Sequence, residues 1–587
     1  MNSFSRLAVR FVVLALACLA SPFALAQTAP DGNAHPEAQA VTRSDVRLSN
    51  PFGVAPRDAE RTTIAQKAAL AAGVDLSPLR DLAVQHSGRV KIMDTLARET
   101  VSSLTGQHAY TDLLPEGDKL KKVKYDPLFS LLDLIIEPRY YLDKPLLGID
   151  YLPLRRMFVE AQFPGDKAAQ KRELKLLRIS PTTVVTFAEQ IMTQTNGSEP
   201  FLRAIGQINQ SLALWRDSAD NLVLVAPASS NEAWTHLSLL PSDHPARKAA
   251  LDLGSAWRAR DVAAINAAVK VLASELPRIN AELYPTTART LETTYNRVHA
   301  FEWGFYAYFL SLITLLLAFG TGRSWLAWLG SGLLVASVGL HAFGFVIRCL
   351  IAERFAIQNQ FESMTGLSLF AALVGLGIML AKRQWLYGAA AAAVGFLVLV
   401  TATQTNIPGQ TIEREAAILN TSVLLKYHVT TVLVSYGLIS LGFVVSLFYL
   451  GAYYFGGRGQ SATDATLAAT ALGTQGTTGV GGRERTLADL DTAQMTVLQL
   501  AFWGLGVGIL LGAWWADHSW GRWWAFDPKE TWALLTWIIY LITIHVRLTT
   551  GRNRALVTAW LSVVGFIVML WTYFGVNLLL PGLHAYA

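Results

Sequence analysis

Eight apolar stretches, each close to the ~20 residues needed to cross a bilayer as a helix, fill the second half of this sequence and leave it few folds. They run over 302–320, 325–347, 364–380, 385–402, 429–453, 495–513, 532–549 and 556–578. A bilayer offers no water to backbone N–H and C=O groups, so such segments cross as helices with internal hydrogen bonds. The expected fold class is all-α: a polytopic membrane protein of eight transmembrane helices, preceded by a signal peptide and a mainly helical water-facing domain. Composition agrees, since 52% of the 587 residues are hydrophobic and 16% are charged, against roughly 25% charged in soluble domains.

The first half reads differently. Arg6 and Arg10 precede an apolar run from Phe11 to Ala20, and Ala24-Leu25-Ala26 offers a small-residue cleavage site, the pattern of a secretory signal over 1–26. Lipoprotein processing at Cys18 and an uncleaved anchor are the alternatives. Residues 27–60 are rich in Ala, Pro, Asp and Asn and read as a flexible linker. From 61 to 300 apolar residues recur at helical spacing, as in Ile64-Ala65-Gln66-Lys67-Ala68-Ala69-Leu70, with Leu222-Val223-Leu224-Val225 as a short strand-like exception. This domain has no metal-ligand spacing, phosphate loop or nucleophile constellation, and its residues assign it no role. The chain's two cysteines, Cys18 and Cys349, exclude a disulfide framework or a dithiol relay within it.

An exported first half makes the first span run inward. The loops 321–324, 381–384, 454–494 and 550–555 then face the cytoplasm, and at or beside them stand Arg323, Lys382, Arg383, Arg458, Arg483, Arg485, Arg552 and Arg554. The positive-inside rule thus agrees with the signal. The expected location is a bacterial inner membrane, with the N-terminal domain and the C-terminus periplasmic. The 454–494 segment, rich in Gly, Thr and Ala, reads as a disordered cytoplasmic loop. A net charge of +6 from 49 basic and 43 acidic residues is too mild for a nucleic-acid partner; membrane lipid is the expected surrounding.

Seven of the nineteen residues from Trp514 to Trp532 are Trp or Phe. An interfacial belt needs no such density, nor Asp527 and Glu530 at fixed offsets. Trp515, Trp520, Trp523, Trp524 and Phe526, in a loop placed at 514–531, suit a flat platform for a large planar apolar ligand, with Arg522 and Lys529 at hand for its carboxylates. A porphyrin has that shape, and its iron needs ligands such as histidine. His428 and His584 fall on the platform's side of the membrane. His545 lies deep in span seven, where an ionisable residue is costly and usually functional. His341 is a weak candidate.

The run Asp527-Pro528-Lys529-Glu530-Thr531-Trp532-Ala533, reached through the tryptophan loop, is similar to the WWD signature of haem-handling proteins. The details resemble most the CcsA (ResC) type of System II cytochrome c maturation, over residues 300–587. Phe526 stands where the signature usually has tryptophan. The resemblance implies that His545 is an intramembrane haem ligand and that His428 and His584 are the two outer ones. It further implies haem b as substrate and bound group, and apocytochrome c with its Cys-x-x-Cys-His segments as partner. A CcsB (ResB)-like membrane subunit would then supply the second intramembrane ligand, with His341 in cis as the minority option. Arg348 and the run Asn359–Ser363 also fit the family's early outer loop, and Gln85–Thr95 resembles a segment of some longer members. The activity implied is that of a haem lyase, if positioning haem for thioether attachment counts as enzymatic. A transporter of haem or another amphipathic solute, a CcmF-type haem lyase and a structural scaffold are the alternatives.

Overall fold

The computed structural model describes residues 48–54, 61–116, 119–193, 197–382, 384–405, 407–413, 423–455, 482–549, 551, 553–580 and 582. The expected signal peptide at 1–26 lies outside them. Two compact units meet in the sequence between Asn296 and Arg297.

The first unit is mainly helical. Its helices start where the sequence supplies caps: Thr63 and Gln66 form a capping box ahead of Ile64–Gly73, and Asp126 caps Pro127–Ile136 with proline at the first helical position. Their apolar faces, including Leu96, Val101, Leu132, Leu253 and Trp257, close one core. At its centre Asp133 is fully buried and accepts from the Lys67 ammonium, from Tyr141 Oη–H at 2.5 Å and from Trp257 Nε1–H at 2.9 Å. A buried carboxylate is tolerated only with such partners. Two expectations fail here. Residues 48–54 of the expected linker are docked: Asn50 donates to Ile135 O at 2.9 Å and Phe52 is buried. A two-stranded hairpin also interrupts this mainly helical unit, Ala83–His86 paired antiparallel with Arg89–Ile92. Ser87 and Gly88 between them both have positive φ, 51° and 78°, the two-residue turn whose twist matches paired strands. Leu222–Val225, the strand-like exception, forms no strand and contributes an isolated bridge from Val225 to Thr235.

Among the described residues the second unit supplies eight helices long and apolar enough to cross a membrane, as expected. They are α1 (Ala300–Thr321), α2 (Ser324–Ala352), α3 (Gln360–Lys382), α4 (Trp385–Gln404), α5 (Val423–Phe455), α6 (Gly482–Trp520), α7 (Pro528–Thr549) and α8 (Arg554–Leu570). A π-helical turn, Trp571–Gly575, and a short helix, Val576–Leu579, extend α8. The chain is therefore a membrane protein. The expected disordered loop over 454–494 is corrected at both ends: α5 runs to Phe455 and α6 starts at Gly482, leaving 456–481 outside the described residues. The expected tryptophan loop over 514–531 shrinks likewise. α6 continues to Trp520 and α7 begins at Pro528, so 521–527 alone connect them. Apolar aromatic residues are compatible with helix, so tryptophan density did not mark its end.

Candidate functional site

At one end of the bundle α3, α5, α6, α7 and α8 leave an open cleft of about 1530 Å³, counting its mouth. Its lining is mostly apolar or aromatic: Val429, Val432, Leu433, Ile509, Trp515, Trp523, Trp524 and Ala533, with Tyr436 and Tyr573.

His428 lines the cleft, and its position follows from α6. Gly504, Gly508 and Gly512, spaced by four residues, share one face of that helix and let α5 approach closely. A Cβ on Gly504 would meet Ser435, one on Gly508 would meet Val432, and one on Gly512 would lie 2.4 Å from His428 Cε1. The imidazole occupies the space of the missing side chain. Its Nδ1 pairs with Gly508 O at 2.8 Å. With Nδ1–H donating, Nε2 carries the lone pair, the arrangement that orients a metal-binding histidine.

The wall opposite is set by buried charge. Glu362, fully buried, pairs with Arg348 at 3.2 Å and Arg354 at 2.7 Å and accepts from Gln358 N–H at 3.1 Å. Arg348 also donates to Gly409 O at 2.7 Å, Gln410 O at 2.8 Å and Thr411 O at 3.1 Å. The network ties the turn before α3 to the segment after α4 and fixes Gln358, Asn359 and Gln360 in the cleft wall. Ser363 and Tyr573 hydroxyls, 2.5 Å apart, join α3 to the π-helical turn, a distortion frequent at functional sites.

The sequence-derived residues divide. Trp515, Trp523, Trp524 and Glu530 line the cleft with His428. Trp520 stands behind, edge-on to Trp515 at 4.9 Å. Arg522 is exposed and outside the lining. Phe526 is 80% exposed, also outside the lining, and holds a left-handed φ of 56°. The two acidic residues work on backbone. Glu530 accepts from Ala525 N–H at 2.9 Å and Asp527 N–H at 3.3 Å. Asp527 in turn accepts from Lys529 N–H at 3.2 Å. That reciprocal cap satisfies the orphan donors at the start of α7, so the signature's carboxylates shape the turn.

His341, the weak candidate, is not brought to the cleft. It is 0% exposed in the α1–α2–α3 corner, away from the cleft. Its Nε2 donates to Thr365 O at 2.9 Å and its Nδ1 lies 3.3 Å from Tyr308 Oη. Both ring nitrogens are used by protein. His545 lies 17 residues into α7, about 25 Å from its start at 1.5 Å per residue, and so stands far from the cleft. It is exposed on the bundle, with Nδ1 paired to Leu541 O at 2.8 Å. Two residues on, Arg547 grips Asp491 of α6 through contacts of 2.5 and 2.8 Å. His584 lies outside the described residues.

Sequence reasoning missed Gly512, Lys426, Tyr436 and Tyr573. The four-residue glycine spacing on α6 was the signal that could have found the His428 seat.

The family model described as Cytochrome C assembly protein matches residues 299–584, the whole cleft-bearing unit. The cytochrome c biogenesis protein CcsA of Parasynechococcus marenigrum is 34% identical over 304 residues, 48% of this chain and 94% of that protein. The chain belongs to the CcsA family of cytochrome c biogenesis proteins. CcsA of Gloeobacter violaceus is 30% identical over 309 residues, 47% of this chain and 88% of its own length. Protein NrfI of Wolinella succinogenes is 24% identical over 531 residues, 85% of this chain and 53% of that protein. Such an alignment reaches well upstream of residue 299, so the likeness to NrfI includes much of the first unit of this CcsA-family protein.

Proposed function

We propose that this CcsA-family protein acts in cytochrome c maturation by holding haem b in the α3–α5–α6–α7–α8 cleft and presenting it to apocytochrome c. The observation that carries the reading is His428: an imidazole in an aromatic cleft, its Nδ1 committed to Gly508 O and its Nε2 lone pair on the other side of the ring. His584 would be the second axial ligand. Gly582, two residues earlier, is packed so close to the cleft's rim that a Cβ there would lie 2.7 Å from Asp527 Oδ1. The lining fits the substrate's chemistry, with aromatic faces for the ring and unpartnered polar atoms besides.

Attachment would proceed by addition of each cysteine S–H of a Cys-x-x-Cys-His segment across a haem vinyl C=C bond. Sulfur bonds to one vinyl carbon, the proton goes to the other, and nothing is oxidised. The chain's own residues position and exclude water rather than supply a nucleophile. The apocytochrome histidine would then displace one of the chain's two axial ligands.

His545 would hold haem at a second site within the bilayer, shared with a CcsB-like subunit. In support, it is exposed on α7, the span that buries the smallest share of its apolar window inside the chain, 17% against 72% for α3. The basic loops favour an inner-membrane location with the cleft end periplasmic.

The test is the visible spectrum of the detergent-solubilised protein beside a His428→Gly, His584→Gly double variant. The parent is expected to show reduced bis-imidazole haem, the variant to lose the outer-site signal, and added imidazole to restore it. An unchanged spectrum in the variant would remove the cleft from haem binding.

A further inference from the structure

An aromatic cleft explains affinity for a porphyrin ring but not for the two carboxylates that haem carries. Ionised carboxylates brought into such a cleft are strongly disfavoured unless donors meet them. We infer that Lys529, Gln360 and Trp515 are the carboxylate-recognising set of this cleft, so that haem is selected by its two propionates as well as by its ring. The inference rests on the reading that the cleft holds haem.

Three donors in the lining have nothing to donate to among the described residues. Trp515 is 2% exposed, and its indole Nε1–H meets no acceptor. Gln360 is 6% exposed, and its amide Nε2 meets none. The Lys529 ammonium, half-buried, makes no hydrogen bond or short ion pair among the described residues, and the Asp527 carboxylate acts on it at longer range. Of the neighbouring carboxylates, Glu530 has Oε2 taken by the N–H groups of Ala525 and Asp527, and Asp527 acts on the ammonium from beyond ion-pair distance. Buried donors are rarely left unmade, because each forfeits its hydration without return.

The donors are also held in place. Phe361 N–H donates to Pro408 O at 3.2 Å and Ser363 Oγ to Gln360 O at 3.0 Å, fixing the first turn of α3. Trp515 is braced by Trp520, and Lys529 sits in the capped first turn of α7. Gln358 Oε1 and Asn577 Oδ1 also lack partners, but they are acceptors and suit bridging water rather than an anion. Arg522, the other cation expected for this task, is exposed outside the lining.

The experiment titrates the full chain in detergent with iron protoporphyrin IX and with its dimethyl ester, following the reduced bis-imidazole bands. The parent is expected to bind the diester at least about tenfold more weakly, the loss of one charge-assisted hydrogen bond. Lys529→Met, Gln360→Leu and Trp515→Phe should each narrow that gap by weakening the diacid alone, with unchanged band positions. If Trp515→Phe fails to fold, Gln360→Leu carries the same test. Equal affinity of the parent for both porphyrins, or equal losses on both in the variants, would overturn the assignment while leaving the haem site standing. If neither porphyrin bound in a His428-dependent way, the haem reading itself would fall, and this inference with it.

Discussion

Two histidines of the membrane unit occupy similar-looking apolar helices and do opposite things. In the α1–α2–α3 corner, His341 spends both nitrogens on protein, one on Thr365 O and one at Tyr308. Nearby, Arg348 and Arg354 close on Glu362 and on loop carbonyls. In the α5–α6–α7–α8 corner, His428 commits Nδ1 to Gly508 while the cleft walls keep buried donors without acceptors. The difference separates the scaffold corner from the proposed haem cleft. The first corner meets most of its buried polar atoms within the chain, Arg354 Nε excepted, since each unmet one costs about 1–3 kcal/mol. A binding site leaves that completion to its ligand.

The comparison can be broken at its strongest point first. Arg348→Ala strips Glu362 of one of its two guanidinium partners and frees the carbonyls of 409–411. The expected cost is about 3–5 kcal/mol, read as a large fall in unfolding temperature, with haem binding lost as well because the Gln358–Gln360 wall depends on Glu362. Retained stability would mean that the corner is not scaffold. His341→Leu comes next. It removes one donor from Thr365 O, which keeps Ser368 Oγ–H, and leaves Tyr308 Oη without its imidazole partner, about 1–3 kcal/mol, and the visible spectrum should stay that of the parent. Loss of an axial-ligand signature in this variant would return His341 to the iron and erase the contrast. The smallest effect is expected at Phe526, whose left-handed φ of 56° favours glycine. Phe526→Gly should gain up to about 1 kcal/mol in chemical denaturation. A large loss instead would show that the exposed ring packs in the free protein.

Much of the architecture was readable from residues. Span number, the change of character near residue 300 and the seat of His428 near one end of α5 all follow from hydropathy and chain direction. Asp527 and Glu530 show where reading stopped. Acidic residues beside a tryptophan cluster look like ligand contacts, and the same spacing, three apart at a helix start, is also a cap. The structure gives these carboxylates backbone N–H partners at residues 525, 527 and 529, while Glu530 also lines the cleft. Trp515 and Trp520 were likewise assigned to a loop, because tryptophan density says nothing of where a helix ends.

What the sequence by itself determined is the set of quantities that accumulate along the chain: apolar length, charge asymmetry between loops, caps and breaks. Those fix a polytopic helical membrane protein because a bilayer accepts hardly any other backbone. Which neighbour each polar group meets was decided only by tertiary structure. His341 and His428 have the same chemistry and comparable neighbours in sequence. One met Thr365 from α3 and Tyr308 from α1, the other a glycine stripe on α6. Those meetings depend on how helices distant in sequence pack, a relation that local periodicity does not carry.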